Sequence, residues 1–469
     1  MSDLELRFGD CLSELKLLED SSVDLVCTDP PYGYSFMGKD WDKAVPSVEI
    51  WRECLRVLKP GCFAFVMSAP RSDVQCEMIL KLKEAGFEVG FSPIYWAYAS
   101  GFPKASNISK MVDKRLGVEQ EVIGSTGRTR PDLRDVGRAS KEINGIDKLS
   151  FNMNYTAKRQ DELITKPTTD EAKELDGLFG GFQPKPAVEV VLVVMKPIEE
   201  KTYVEQALKN GHGGTWLGRC RIPYANNKDR ESTIYENGCG GQEFSSGVKG
   251  NKNIDFRTAT YKGSDDGRFP ANLLVSDNVL DNGEITEGKK AIIKGGFGAG
   301  VNTFGAGLIE SERGYNDVGG FSRYFSLDAW WDKAVKELPE KQRKTFPFLI
   351  TPKASKSEKN KGLEQFETKL VNDGRNILPD NAFQRGKTER LNIHPTVKPL
   401  KLMQYLVTLG CNKGEIVLDP FVGSGTTCIA SKLQGRKSIG VEMNKDYFEI
   451  AKARCKSFEE QLTIVEDCL

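Results

Sequence analysis

"LDPFVGSGTT" (418–427) is the stretch on which the fold turns. The run it belongs to, "GEIVLDPF" (414–421), is apolar and β-branched, which predicts a buried strand. The run that follows, "GTTCIASKLQG" (425–435), has helical spacing and stops at Gly435. The glycines therefore stand at a strand-to-helix turn. Gly423 and Gly425 allow a tight bend and close approach of backbone to a ligand, and the helix start leaves unpaired N–H groups facing it. The next strand, "KSIGVE" (437–442), ends on Glu442, 19 residues after Gly423. An acid about 20 residues on, at the next strand tip, is where a Rossmann-type sheet holds ribose hydroxyls. The spacing is not G-x-G-x-x-G and no Walker lysine follows. The expected ligand is thus a nucleoside-bearing cofactor other than a dinucleotide or ATP.

Working outward, "KDYFEIAKARCKSF" reads as the helix after Glu442, and "PLKLMQYLVTLGC" as an amphipathic helix before the first strand. The rhythm of this block has a counterpart at the other end of the chain. "SVDLVCTD" is a strand, "PSVEIWRECLRVLKPG" (46–61) a helix stopping at Pro-Gly, and "CFAFVMSA" (62–69) a strand. "DVQCEMILKLKEAGF" (73–87) is a helix closed by Gly86, and "EVGFSPIYWAY" (88–98) is strand-like. This βαβαβ order predicts a parallel sheet with helices on its faces. The C-terminal block should complete that sheet. At the end of the first of these strands stands "TDPPYG" (28–33). Pro30 and Pro31 lack backbone N–H groups and cannot continue a sheet, so Asp29 sits where a strand gives way to a stiff loop. Taken alone, the loop is equally a strand terminator or a functional turn.

Between the two blocks the character changes. "AVEVVLVVMKP" (187–197) is the most β-rich run and must be a core strand. Residues 104–182 are polar and charged; over 104–166 there are 13 Lys/Arg against 9 Asp/Glu, a net of +4. Residues 226–350 are rich in Gly, Asn, Ser and Asp and are expected to lie outside the sheet.

Bulk composition narrows the chemistry. The 469 residues are 39% hydrophobic and 28% charged with zero net charge, enough apolar material for a sizeable core. No run approaches the ~18 apolar residues of a membrane span. "MSDLELRFGD" has no basic-then-apolar signal pattern, so the expected location is cytoplasmic, with no membrane partner. Eleven cysteines without a C-x-x-C pair suggest reduced thiols. With His212 and His394 the only histidines, neither a Cys/His zinc site nor a Ser-His-Asp triad is expected, and no metal is assigned.

"DPPYG", "LDPFVGSGTT" and "GVEMNKDYFEIAKAR" together resemble the amino-group (N6-adenine/N4-cytosine) DNA methyltransferases. The order of motifs, catalytic loop first and cofactor loop last, resembles the permuted β-class arrangement. "YWAYASGFPKASNISKMVDKRLG", "GRFPANLL" and "TPKASKSEKN" look like segments of its phage and prophage members. The resemblance implies an α/β, Rossmann-like S-adenosylmethionine-dependent methyltransferase sheet with large insertions. Its expected parts are a catalytic half (1–103), a polar basic insertion (104–182), returning core strands (183–225), a target-recognition region (226–349) and a cofactor-binding half (350–469). It implies double-stranded DNA as substrate, leaves a homodimer open and names no restriction partner. Asp29, Pro30, Pro31 and Tyr32 would form the catalytic loop. S-adenosylmethionine would be met by Asp10 and Cys11 of "FGDCLSELKLL", by Asp29, and by His394, Thr396 and Lys398 of "HPTVKP". Asp419, Pro420, Phe421, Gly423, Gly425, Thr426, Glu442 and Met443 would complete that site. Lys398 has phosphate or solvent as alternative neighbours, and "GKDWDK" (38–43) reads as a lid or a plain loop.

The implied chemistry explains the loop. An exocyclic amine is a poor nucleophile because its lone pair is delocalised. Asp29 and the carbonyl of Pro30 can accept its two hydrogens and favour a pyramidal nitrogen, on a scaffold the prolines make rigid. Tyr32 offers a face to a base drawn out of the duplex, a role that needs the ring rather than the hydroxyl. Aspartate in the first position of D-P-P-Y tends to go with adenine N6, with cytosine N4 as the alternative. A catalytically silent DNA-binding protein and methylation of RNA or a protein amide are the remaining readings.

Overall fold

The computed structural model describes residues 3–33, 42–97, 106–131, 159–180, 188–224, 227–231, 235–236, 260–261, 264–275, 286–287, 291–294, 310–313, 318–319, 326–336, 354–371 and 388–466. Much of the expected target-recognition region 226–349, and residues 38–41 of the "GKDWDK" stretch, lie outside the described residues.

An eight-stranded sheet is built from β1 (Leu4–Phe8), β2 (Val23–Thr28), β3 (Leu58–Ser68), β4 (Ile94–Ala97), β5 (Val188–Met195), β6 (Leu273–Val275), β7 (Ile416–Asp419) and β8 (Lys437–Glu442). Its order is β1-β8-β7-β2-β3-β5-β4-β6. The C-terminal strands therefore insert between β1 and β2, completing the sheet begun at the N-terminus. Neighbours are parallel except around β5, which runs antiparallel to both β3 and β4.

Alternation explains why near-continuous apolar runs become central strands. On β3, Phe63, Phe65 and Met67 face one core, while Cys62, Ala64 and Val66 face the other. On β5, Val191 and Met195 face the first core and Val190, Leu192 and Val194 the second. Both faces are covered, as such runs require. One cover is α2 (Val48–Val57) with α3 (Ser72–Ala85), through Trp51, Val57, Met78 and Leu82. The other is α4 (Leu400–Gly410). Each fully buried side chain of this size contributes about 1.5–3 kcal/mol.

Three expectations are corrected. First, α4 is not amphipathic: every residue from Leu400 to Gly410 is buried, because α4 is packed on all sides. Second, α2 stops at Val57, and Leu58 to Gly61 already belong to β3; Pro60 is accommodated at its start. Third, residues 226–350 do not all lie outside the sheet. Leu273–Val275 pairs with β4, and the helix Leu327–Lys336 puts Trp330 and Trp331 into the core. Local polarity hid these short apolar runs.

The opposite end of β2 from Asp29 is tied by Asp24. It accepts from Ile416 N (2.8 Å), Lys59 Nζ (2.5 Å) and lies 3.1 Å from His212 Nε2. Asp24, Cys62 and His212 lie within 4.8 Å of one another, with the Lys59 ammonium supplying the positive charge there.

The described residues divide into two compact units: 1–99, 188–370 and 389–469 carry the sheet, and 100–187 with 371–388 form the second. In the second unit, Asp113 of the helix Ile108–Arg115 accepts from Thr168 N, Thr169 N, Thr169 Oγ1 and Gln120 Nε2 at 2.7–3.1 Å. It thereby anchors the ribbon of Glu121–Pro131 and Arg159–Lys166. Among the described residues, no helix is long and apolar enough to cross a membrane.

Candidate active site

The carboxyl ends of β2 and β7 are adjacent: Leu25 and Val26 register with Val417 and Leu418 in parallel. The "DPPYG" loop and the glycine loop therefore emerge side by side, where open α/β sheets bind ligands. A direct bond joins their roots, Thr28 Oγ1 donating to Asp419 Oδ1 at 2.6 Å.

Asp419 is buried. Its other oxygen takes Thr427 Oγ1 at 2.6 Å, and Phe421 N donates to Oδ1 at 3.1 Å. Burial pushes its carboxyl up to about 6, against the pull of the Thr28 and Thr427 hydrogen bonds. With three protein donors, Asp419 first shapes the loop that runs through Pro420 and Phe421.

The glycine loop turns at Gly423 (φ +53°) and Gly425 (φ +84°), the latter the N-cap of α5 (Thr426–Leu433). A Cβ on Gly423 would lie 2.6 Å from His394 Nε2. Arg454, on α6 (Lys445–Glu466), reaches back under the loop. Its Nη1 donates to Ser424 O, to Ser424 Oγ (2.9 Å) and to Thr426 Oγ1 (3.3 Å).

Glu442 ends β8 beside this loop. Gly423 N donates to its Oε2 (3.1 Å) and Asn444 N to its Oε1 (2.7 Å). Burial pushes its carboxyl up to about 7, although those N–H groups pull the other way. Gly9 N binds the Glu442 carbonyl at 3.1 Å, which brings up the turn into α1 (Cys11–Leu15). There Asp10 is exposed and caps the helix through Ser13 N at 3.0 Å, while Cys11 is buried. Phe421 is half-buried against Trp51 (centroids 6.3 Å apart), and Met443 is 63% exposed. The polar groups suit a nucleoside: the Glu442 carboxylate can accept from a diol, with Met443 next in the chain and the exposed Asp10 on the neighbouring turn.

On the other loop, Pro30 is buried and Pro31 half-buried. Asp42 accepts from Tyr32 N (2.7 Å) and Gly33 N (3.0 Å) and so fixes the turn. The Tyr32 hydroxyl donates to Asp29 Oδ1 at 2.5 Å, a partner that the expectation of a ring-only role did not provide for. Lys398 Nζ donates to Asp29 Oδ2 at 2.5 Å and lies 3.2 Å from Glu189 Oε2. Burial opposes its charge, but Asp29 and Glu189 outweigh that and raise its pKa. Lys398 is 9% exposed, so carboxylates, rather than phosphate or solvent, surround its ammonium here.

His394 sits between the two loops. Burial pushes its imidazole down to about 4, so it is neutral at pH 7. Its Nδ1 is 2.9 Å from the Thr396 carbonyl, which can only accept, so the proton is on Nδ1. Nε2 therefore turns a lone pair toward Gly423. Thr396 itself is exposed.

Four contributors lie outside the motifs that the sequence displays. Glu189 had a signal, as the one charge inside "AVEVVLVV"; Arg454 had another, on the buried helical stripe of Tyr447, Ile450, Ala451 and Phe458. Thr28 and Asp42 had none beyond proximity to Asp29.

Comparison with known proteins finds similarity over part of the chain. Residues 306–453 match the DNA methylase family N6_N4_Mtase; "DPPYG" lies outside that span. The type II methyltransferase M.HpaI of Haemophilus parainfluenzae is 41% identical over 91 residues, 19% of this chain and 29% of that protein. The type II methyltransferase M2.DpnII of Streptococcus pneumoniae is 42% identical over 94 residues, 20% of this chain and 35% of that protein. The matches thus span about a third of these curated relatives' length. The cytosine-N4-specific PvuII DNA methyltransferase structure aligns over 98% of this chain and 92% of its own, at 13% identity and a TM-score of 0.39. The stretch that matches the DNA methylase family model, 306–453, carries Lys398, the glycine loop and Glu442.

Proposed function

We propose that the chain is an S-adenosylmethionine-dependent DNA methyltransferase that modifies the exocyclic N6 of adenine in double-stranded DNA. The observation that carries this reading is the junction of the two loops. The acceptor loop at the end of β2 and the nucleoside-type loop at the end of β7 are bonded through Thr28 and Asp419.

S-adenosylmethionine, when bound, supplies an electrophilic methyl carbon. Glu442 would hold the ribose hydroxyls, and Phe421 and Met443 would cover the adenine near Asp10. Asp29 accepts a hydrogen bond from one N–H of the target amine and the Pro30 carbonyl from the other, which localises the nitrogen lone pair. The Asp29 carboxylate then stabilises positive charge developing on that nitrogen, which ends neutral by losing one proton to solvent. Tyr32 offers its ring to the extruded base and, through its hydroxyl, orients Asp29. His394 is neutral and holds no proton on the nitrogen facing the glycine loop, so it serves as a packing and accepting group rather than an acid. Residues 104–182 would add phosphate contacts, and 226–349 would read the target sequence.

The test is direct. Double-stranded DNA is incubated with the full chain and S-adenosylmethionine and then digested to nucleosides. N6-methyladenine is the expected product. N4-methylcytosine would move the target to cytosine, and unmodified DNA across varied sequences would overturn the reading.

A further inference from the structure

Glu189 is the acid in an otherwise apolar strand, standing opposite Trp96 in the register of β5 and β4. Its Oε2 is buried and makes no hydrogen bond. A buried carboxylate oxygen without a donor is costly. What faces it is the Lys398 ammonium at 3.2 Å, which meanwhile donates to Asp29 Oδ2 at 2.5 Å. One buried ammonium thus spans two carboxylates: one in a full hydrogen bond, the other in ionic contact only.

Asp29 has a donor on each oxygen, Tyr32 on Oδ1 and Lys398 on Oδ2. Each oxygen keeps a second lone pair, but an ammonium held on Oδ2 draws its charge and crowds it, which weakens it as an acceptor for an incoming amine. Lys398 is the donor with somewhere else to go. We propose that Glu189 is a positioning residue: it is the second anchor for Lys398 and takes over the ammonium's hydrogen bond as the target amine reaches Asp29. The ammonium exchanges one acceptor for the other and keeps its three protons, so the pocket's charge does not change. Asp29 thereby meets the base with Oδ2 relieved of the ammonium. The inference rests on the reading of Asp29 as the amine acceptor.

The other groups facing this cluster are Tyr32 on the same loop, His394 on the segment before α4, and Asp419 at the tip of β7. Single-turnover methylation of double-stranded DNA by the full chain is measured across pH for wild type, Glu189→Gln, Lys398→Met and the double variant. S-adenosylmethionine binding without DNA and thermal melting are measured alongside.

In Glu189→Gln the ammonium stays on Asp29. The rate should fall about tenfold, and the acid limb of the pH profile should move down, because one negative charge has left the cluster. Cofactor affinity should not change. In Lys398→Met two carboxylates face each other without a cation, so the acid limb should move up. Adding Glu189→Gln to Lys398→Met should return the limb toward wild type and cost no further rate. A wild-type rate and profile for Glu189→Gln overturns the proposal, as does an equal loss of rate from Glu189→Gln with and without Lys398. If Glu189→Gln melts below the assay temperature, Lys398→Met decides, and an unmoved acid limb is the overturning result. An Asp29→Ala variant that still methylates removes both the functional reading and this inference. An inactive Asp29→Ala beside a wild-type-like Glu189→Gln removes the inference alone.

Discussion

Cofactor affinity should depend steeply on pH, and the dependence should belong to Glu442. Without ligand, burial holds its carboxyl at about 7 rather than its ordinary value of 4.5. Ribose hydroxyls are donors, so they prefer the ionised form. Below pH 7, binding must first expel a proton, at about 1.4 kcal/mol per pH unit. Between pH 8 and pH 5.5 the dissociation constant should therefore weaken by about thirtyfold, roughly 2 kcal/mol. Asp419, held at about 6, titrates within the same window but has no free oxygen facing outward. The two are separated by Glu442→Gln. This variant should bind more weakly at pH 8 and lose the step near pH 7, keeping only whatever Asp419 contributes near 6. Calorimetric titration of S-adenosylmethionine into the DNA-free protein measures it. A flat profile in wild type, or an unchanged profile in Glu442→Gln, would refute the assignment of Glu442 to the ribose.

Tyr32→Phe should slow methyl transfer about tenfold, because it removes a hydrogen bond to a charged acceptor worth about 1.5–3 kcal/mol when buried, less at this half-buried position. Tyr32→Ala should be worse, and an unaffected Phe variant would return the residue to a ring-only role. Gly423→Ala should lower the melting temperature and weaken cofactor binding, since its Cβ would meet His394 at 2.6 Å and its φ of +53° is strained for alanine, together about 1–3 kcal/mol. An unchanged melt would show that the turn relaxes freely. Neutralising Lys/Arg within 104–166 should weaken binding to all DNA sequences alike and flatten the salt dependence by about 0.9 per lost phosphate contact. Sequence-selective loss in a binding assay would contradict that role.

The site's local pieces were legible because each is a run of adjacent residues: strand, proline loop, glycine turn, helix, strand-end acid. Their coupling was not. Lys398 lies 369 positions from Asp29, and Asp419 lies 391 from Thr28, so only the sheet order reveals that they touch. The direction of β5 was also hidden, since a strand apolar on both faces reads the same whichever way it runs. α4 misled because Lys401, Gln404 and Thr408 suggested a polar face that in the fold is enclosed. Trp330 and Trp331 are masked in the sequence by the glycine-rich stretches around them.

The interleaving of β7 and β8 between β1 and β2 has a consequence for how the protein is made. A ribosome adding about 5–20 residues per second delivers Asp419 some 20–80 s after Thr28. Until then β1 and β2 lack the strands that will lie between them, and the nascent chain presents apolar edges that can only wait. The acceptor loop cannot be completed early, because its lysine follows Asp29 by 369 residues and its buried Asp419 brace follows Thr28 by 391. A chain released prematurely therefore carries the D-P-P-Y loop but no working pocket. Formation of the pocket thus waits on synthesis of the interleaved strands, and arrest before them should yield aggregates or chaperone clients rather than fragments that bind DNA bases.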